Sequence, residues 1–310
     1  MSWVDPRGLS TGVTTFVDAR VSEVRRALSA TLVSRVGGPD AASRRAEVLE
    51  AAGDRWFADD SPVRVIHADT AMFVGGLLAV FRQSLHPLAM AGVAQHSTYR
   101  EDPWGRLHRT GSFLGAVTFG PSEMSERAVA TVRRIHGPVR GSARDGRPYA
   151  ASDPHLLLWV HLAELESFVT AHRVYGATRL DAADYDRYVA EMSRVAVALG
   201  SEAPPHSRAE LRAALAGFKA ELAATPEARQ AARYLVAPPG LSLAERVGYA
   251  PLVAAAIALL PVDARIGLRL PILPITDRFL VPPITGGALR VARWVARSPS
   301  EPTHEAAPVR

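Results

Sequence analysis

The run Asp153-Pro-His-Leu-Leu-Leu-Trp-Val-His161-Leu-Ala-Glu-Leu-Glu-Ser-Phe-Val-Thr-Ala-His172 carries every signal of an α-helix. Asp153 supplies an N-cap oxygen, and Pro154 occupies the first helical position, where no backbone N–H is needed. Leu157, His161, Glu164, Leu165 and Phe168 recur at helical spacing and fall on one face. No Gly or Pro interrupts the segment, so the spacing predicts a helix through His172.

The same period extends in both directions. Helices are expected over residues 15–36 and, with Asp40 as cap, over 40–57. A strongly apolar region runs from Val63 to Leu85 with Gly75-Gly76 in its interior. Each helical glycine costs about 1 kcal/mol relative to alanine, so close approach of another helix or of a flat ligand is expected there. After His86-Pro87 comes another apolar piece, Leu88 to Gln95, and further helical segments are 104–119, 122–136, 181–199 (capped by Asp181), 207–223 and 225–236. Residues 137–150 read as a loop rich in Gly, Pro and Arg. Prolines 238, 239, 251, 261, 271, 274, 282 and 283 divide the last third into what should be short helices over a core. Residues 298–310 have the composition of a disordered tail. Alternating strand patterns are scarce, and repeats are absent. The expectation is an all-α protein, a single helical domain over 1–297.

Composition narrows the chemistry. The 310-residue chain has no cysteine, which excludes disulfides, zinc–thiolate sites, iron–sulfur clusters and thiolate-ligated haem. Net charge is +5, nearly all of it from arginine, with Lys219 the only lysine. Codon usage explains that bias better than anion affinity does. The arginines are scattered rather than striped, and no helix-turn-helix pattern is present, so nucleic acid is not an expected partner. No apolar run reaches the ~20 residues of a spanning helix. Residues 1–20 lack a signal-type apolar core. A cytoplasmic protein with peripheral membrane contact is the expectation.

P-loop, dinucleotide, zinc-protease and serine-hydrolase motifs are all missing. Histidine remains, and eight of the ten fall between His67 and His172. His136 ends the 122–136 helix directly before Gly137-Pro138, on a stripe with Met124, Ala128, Val132 and Ile135. Such a histidine can project toward a flat cofactor as an iron ligand; it can equally serve as a C-terminal cap. His161 reads as a core histidine beside Glu164, or as a ligand. His86, before Pro87, reads as a turn residue. Arg106 and Thr110 share one helix face with Phe113, Leu114 and Val117, and need polar partners wherever they are buried. A cofactor carboxylate or a local ion pair would satisfy the arginine.

These residues also stand in a familiar order. His67-Ala-Asp69, Gly75-Gly76, Leu85-His86-Pro87, Gln95-His96-Ser97, Asp102-Pro103 and Arg106-x-x-Arg109-Thr110 come first. Then follow His136-Gly-Pro-Val139-x-Gly141, Tyr149-x-Ala151-x-Asp153-Pro154 and Trp159-Val160-His161. The series resembles the catalytic domain of the MpaB-type oxygenases and rubber oxygenases (latex-clearing proteins), well over residues 60–180 and loosely beyond. The resemblance implies a globin-like helical core holding haem b, and cleavage of isoprenoid double bonds with O2. Known members act on polyisoprene and on a farnesyl side chain. The family's iron ligand then falls on His136, and its conserved arginine and threonine on Arg106 and Thr110. Met72, Gly76 and His161 are the further expected cofactor-binding positions. Rubber oxygenases carry lysine before the threonine, where this chain has Arg109, so their closed form is not expected here. With no secretion signal read in the chain, bulk polymer is not the expected substrate. A non-catalytic haem- or lipid-binding protein on the same helical fold is the alternative.

Overall fold

The structure, a computed structural model, describes residues 41–97 and 102–296. The predicted helix over 15–36, the Asp40 cap and the tail over 298–310 lie outside the described residues. The described chain is all-α and forms one domain, with a single small hairpin as its only sheet among the described residues.

The helices in order are α1 (Ala41–Glu50), α2 (Pro62–Ala68), α3 (Met72–Gln83), α4 (Pro87–His96), α5 (Pro103–Phe119) and α6 (Ser122–His136). Strands β1 (Arg140–Ser142) and β2 (Pro148–Ala150) pair antiparallel. Then come α7 (Pro154–Tyr175), α8 (Ala182–Leu199), α9 (Arg208–Gly217) with a 3-10 turn Phe218–Glu221, α10 (Pro226–Val236), α11 (Leu243–Ala258), α12 (Val262–Leu268), α13 (Pro274–Phe279) and α14 (Val281–Ala296).

α7 is the axis of the fold. Asp153 caps it as expected, accepting from the His155 amide at 2.9 Å. It buries Leu162, Ala163, Leu165, Phe168 and Ala171. α3 packs along it, and the two share the centre of the domain. On one side α2, α7, α8 and α9 close over Ile66, Leu162, Tyr188 and Met192. On the other, α3, α10, α11, α12 and α14 enclose Leu78, Phe81, Ala256 and Leu289.

Four expectations are corrected. The region 63–85 is two helices, α2 and α3, bent by 94°. The cause is Asp69, whose carboxylate accepts from the Ala71 amide at 2.7 Å and so competes with the helical carbonyls for it. The 40–57 helix stops at Glu50, before Gly53 at φ +125°. The loop over 137–150 contains the β1–β2 hairpin. The last third is not uniformly short: α11 and α14 each run 16 residues. Pro282 and Pro283 sit in the first turn of α14, where their missing N–H groups leave no helical bond unmade.

Candidate functional site

α5 and α6 form an antiparallel hairpin whose turn is Gly120-Pro121. Arg106 and His136 lie thirteen and fourteen residues from that turn's flanking positions, Phe119 and Ser122, so both stand at the hairpin's far end. Asp102 caps α5, accepting from the Gly105 amide at 2.7 Å. Arg106 Nη1 donates to Ser97 Oγ at 3.1 Å. Thr110 is exposed, and its hydroxyl donates back to the Arg106 carbonyl at 3.1 Å. Arg109 Nη1 lies 3.6 Å from the Asp102 carboxylate on the surface.

His136 is half-buried, and its ring has no hydrogen bond among the described residues. Burial lowers its pKa from the ordinary histidine value, which favours the neutral imidazole that a metal ligand requires. The expected inner stripe of α6 is displaced: Ile135 is 54% exposed, whereas Ser125 and Val129 are buried. α6 packs against α5 and α8, and its buried face lies about one residue round from the expected one.

Met72, Gly76 and His161 belong to the other grouping, α3 against α7. The two glycines of α3 separate cleanly. A Cβ on Gly75 would stand 3.0 Å from Phe168 Cδ1 and 3.4 Å from Ala171 Cβ, so Gly75 permits helix approach. A Cβ on Gly76 would meet nothing within 4 Å. Met72 is half-buried and reaches the same contact, its Cε 3.5 Å from that Gly75 position. His161 is buried, its Nε2 without a partner, and desolvation lowers its pKa to about 4. No hydrogen bond or ring contact among the described residues links Arg106, Thr110 or His136 to Met72, Gly76 or His161.

The sequence pointed to Glu164 as the neighbour of His161, but not to the cluster that His67 forms with Thr118 and Tyr188. Glu164, one turn on, is pushed up to about 7 by desolvation, so its proton is exchangeable near neutral pH. His67 bridges Thr118 Oγ1 (Nδ1, 2.7 Å) and Tyr188 Oη (Nε2, 3.1 Å), with its ring edge-on to Phe168 at 5.3 Å. Desolvation lowers its pKa to about 3, and burial raises that of Tyr188 well above the usual phenol value. Both therefore stay neutral. The signal for this cluster was only three polar residues on apolar faces of α2, α5 and α8.

Several pieces of the ordered motif series also meet. Tyr149 Oη donates to Gln95 Oε1 at 2.7 Å and lies 3.1 Å from His96 Nε2. Gln95 Nε2 donates to the Ser142 carbonyl at 2.9 Å. A Cβ on Gly141 would stand 2.7 Å from Tyr149 Oη and 2.9 Å from Gln95 Oε1, so only glycine fits there. With Arg106 bound to Ser97, residues 95–97, 106, 141 and 149 form one polar shelf beside the segment that follows His136. The family described as "ER-bound oxygenase mpaB/B'/Rubber oxygenase, catalytic domain" matches residues 63–298.

The chain belongs to this family. No curated protein and no solved structure matches it.

Membership in the MpaB/rubber-oxygenase family identifies the domain as an oxygenase catalytic domain, and an oxygenase of this kind calls for a metal or haem cofactor. The residues fit such a group on three counts. His136 is a neutral imidazole with no partner among the described residues. His161 Nε2 is buried and orphaned. A Cβ on the half-buried Gly76 would meet nothing within 4 Å. Three further residues, His86, His155 and Glu221, gather at a separate corner of the domain, where the ends of α4, α7 and the 3-10 turn meet.

Proposed function

We propose that this protein is a haem b-dependent oxygenase that oxygenates or cleaves an apolar, isoprenoid-like alkene with O2. The observation that carries the reading is the neutral His136 imidazole, without a partner among the described residues, at the same end of the α5–α6 hairpin as Arg106, in a chain of the MpaB/rubber-oxygenase family. Haem, when bound, supplies the iron centre that activates dioxygen.

The chain's own residues have distinct tasks in this scheme. His136 offers the nitrogen that ligates iron, and burial keeps it unprotonated. Arg106 supplies positive charge toward a propionate. Thr110 holds a hydroxyl proton that a rotation away from the Arg106 carbonyl would turn outward. Met72 and Phe73, beside the open position at Gly76, offer an apolar wall to a hydrocarbon, which needs few polar contacts. His161, neutral and buried, is the second candidate ligand in what would be a globin-like core. Cleavage is balanced without an external reductant: the two atoms of O2 become the oxygens of two carbonyl groups as the C=C bond breaks.

Peripheral membrane contact of a cytoplasmic protein accords with this substrate. No single described helix is long and apolar enough to cross a membrane, although the pairs α2–α3 and α11–α12 pass together as bent pairs. Leu243, Val247, Ile266, Ile275 and Phe279 are each more than half exposed along the α11–α13 region, with Arg269 and Arg278 in the same segment.

The test is a pyridine haemochrome assay on full-length protein expressed with iron and a haem precursor, followed by oxygen uptake with an isoprenoid alkene. Stoichiometric haem, its loss in His136→Ala, and alkene-dependent uptake are expected. Haem without uptake would turn the reading to a non-catalytic haem protein. Absence of haem after reconstitution with hemin would overturn it.

A further inference from the structure

We propose that His86, His155 and Glu221 form a binding site for one divalent transition-metal ion of the zinc class, separate from the haem site and independent of the oxygenase reading. One nitrogen from each histidine and a carboxylate oxygen all lie within 4.8 Å of one another. His86 Nε2 is 3.3 Å from Glu221 Oε2. His155 Nε2 is 3.0 Å from both carboxylate oxygens. A tetrahedral ion with bonds of ~2.0–2.1 Å sets its ligand atoms about 3.3 Å apart, so the spacing already present needs little adjustment.

The three donors come from positions far apart in the chain, and each is fixed by its own surroundings. His86 is the N-cap of α4, fully buried, with Pro87 behind it. The Ala223 amide donates to the Leu85 carbonyl at 2.8 Å, tying the segment after Glu221 to the residue before His86. Trp159 Nε1 donates to the Gln83 carbonyl at 3.2 Å. Phe218 stacks on the His155 ring, centroids 4.4 Å apart, and stands 6.1 Å from the His86 ring. An aromatic wall on one side and water on the other is the setting of a site with three protein ligands and an open coordination position.

Accessibility and charge agree. The side chains of His155 and Glu221 are 52% and 37% exposed, so an ion can enter from solvent, while His86 anchors it from inside. Arg147 is the positive charge that acts on His86 and Glu221, and Asp145 pairs with it at 2.7 Å. Two imidazoles and one carboxylate suit zinc, cobalt, nickel or ferrous ions, and not magnesium or calcium, which take oxygen ligands. The bound ion would clamp the start of α4, the first turn of α7 and the 3-10 turn together, and its remaining position would hold water.

Chelator-treated full-length protein would be titrated with zinc by calorimetry, and with cobalt by its visible absorption. One equivalent is expected, with a cobalt band of four- or five-coordinate type and a rise in melting temperature. His155→Ala and Glu221→Gln alter exposed groups and should fold. Each should weaken binding by more than the ~10–100-fold that loss of a supporting hydrogen bond costs. His206→Ala, on the surface elsewhere, should bind as the parent does. Folded parent protein that takes up no zinc, or folded His155→Ala and Glu221→Gln variants that bind it as tightly as the parent, would overturn the site.

Discussion

Asp69 and Arg293 are 224 residues apart in the chain, yet Arg293 Nη2 donates to Asp69 Oδ1 at 2.7 Å, and the two side chains are 7% and 17% exposed. Asp69 also accepts from the amides of Ala71 and Ala177, both at 2.7 Å, and Arg293 donates to the Tyr175 carbonyl. One carboxylate thus ties together the α2–α3 bend, the end of α7 and the last helix.

Asp69→Ala should therefore destabilise the domain by about 3–5 kcal/mol, because it leaves a buried guanidinium unpaired. Burial by itself would raise the Asp69 pKa; the hydrogen bonds from Arg293, Ala177 and Ala71 outweigh it and leave the pKa lowered. The group's contribution is then complete above the unfolded carboxylate pKa, near 4, and is lost as pH falls through the folded value. Urea denaturation at neutral and acidic pH checks this; a variant as stable as the parent at pH 7 would refute it.

His67 should make the fold acid-sensitive. Its folded pKa, about 3, lies below the unfolded value near 6.5, so between these limits the unfolded chain holds more protons. Stability must fall as pH drops below ~6.5, by up to about 1.4 kcal/mol per pH unit from this residue. His86, His136, His161 and His172 are shifted in the same direction and add to the slope. His67→Asn should flatten the curve of stability against pH; an unchanged slope would contradict the assignment.

The glycine pair of α3 should respond asymmetrically. Gly75→Leu drives a side chain into Phe168 and Ala171 and should cost about 1–3 kcal/mol. Gly76→Ala meets no atom within 4 Å and should gain about 1 kcal/mol of helix stability. If the space over Gly76 is cofactor space, Gly76→Phe should lower haem content while leaving the apoprotein melt near that of the parent. Equal effects at the two positions would discard the distinction.

Gly141→Ala should displace Tyr149 and break its bonds to Gln95 and His96, at a cost of about 1–3 kcal/mol. The combination with Tyr149→Phe should cost less than the sum of the single changes, since the Tyr149 hydroxyl removed is the group the new methyl strikes. Strict additivity in thermal melts would show that the contact is not shared.

Much of the fold was legible. The starts of α7 and α8 follow from Asp153 and Asp181, whose side chains accept amide hydrogen bonds at the helix ends. The end of α6 at His136 follows from Gly137-Pro138. Such features are local, set by residues within one turn of each other. The α2–α3 bend was not legible, because Asp69 holds it through partners at 71, 177 and 293.

The candidate site divides in the same way. The sequence by itself determined an all-helical chain, the order of its motifs and the place of Arg106, Thr110 and His136 on two successive helices. Only the tertiary structure decided that Gly75 meets Phe168 while Gly76 does not, that burial pushes Glu164 up to about 7, and that His86 stands with His155 and Glu221. Helical period and capping are short-range properties of the backbone, whereas desolvation and donor convergence depend on what distant segments bring to one point.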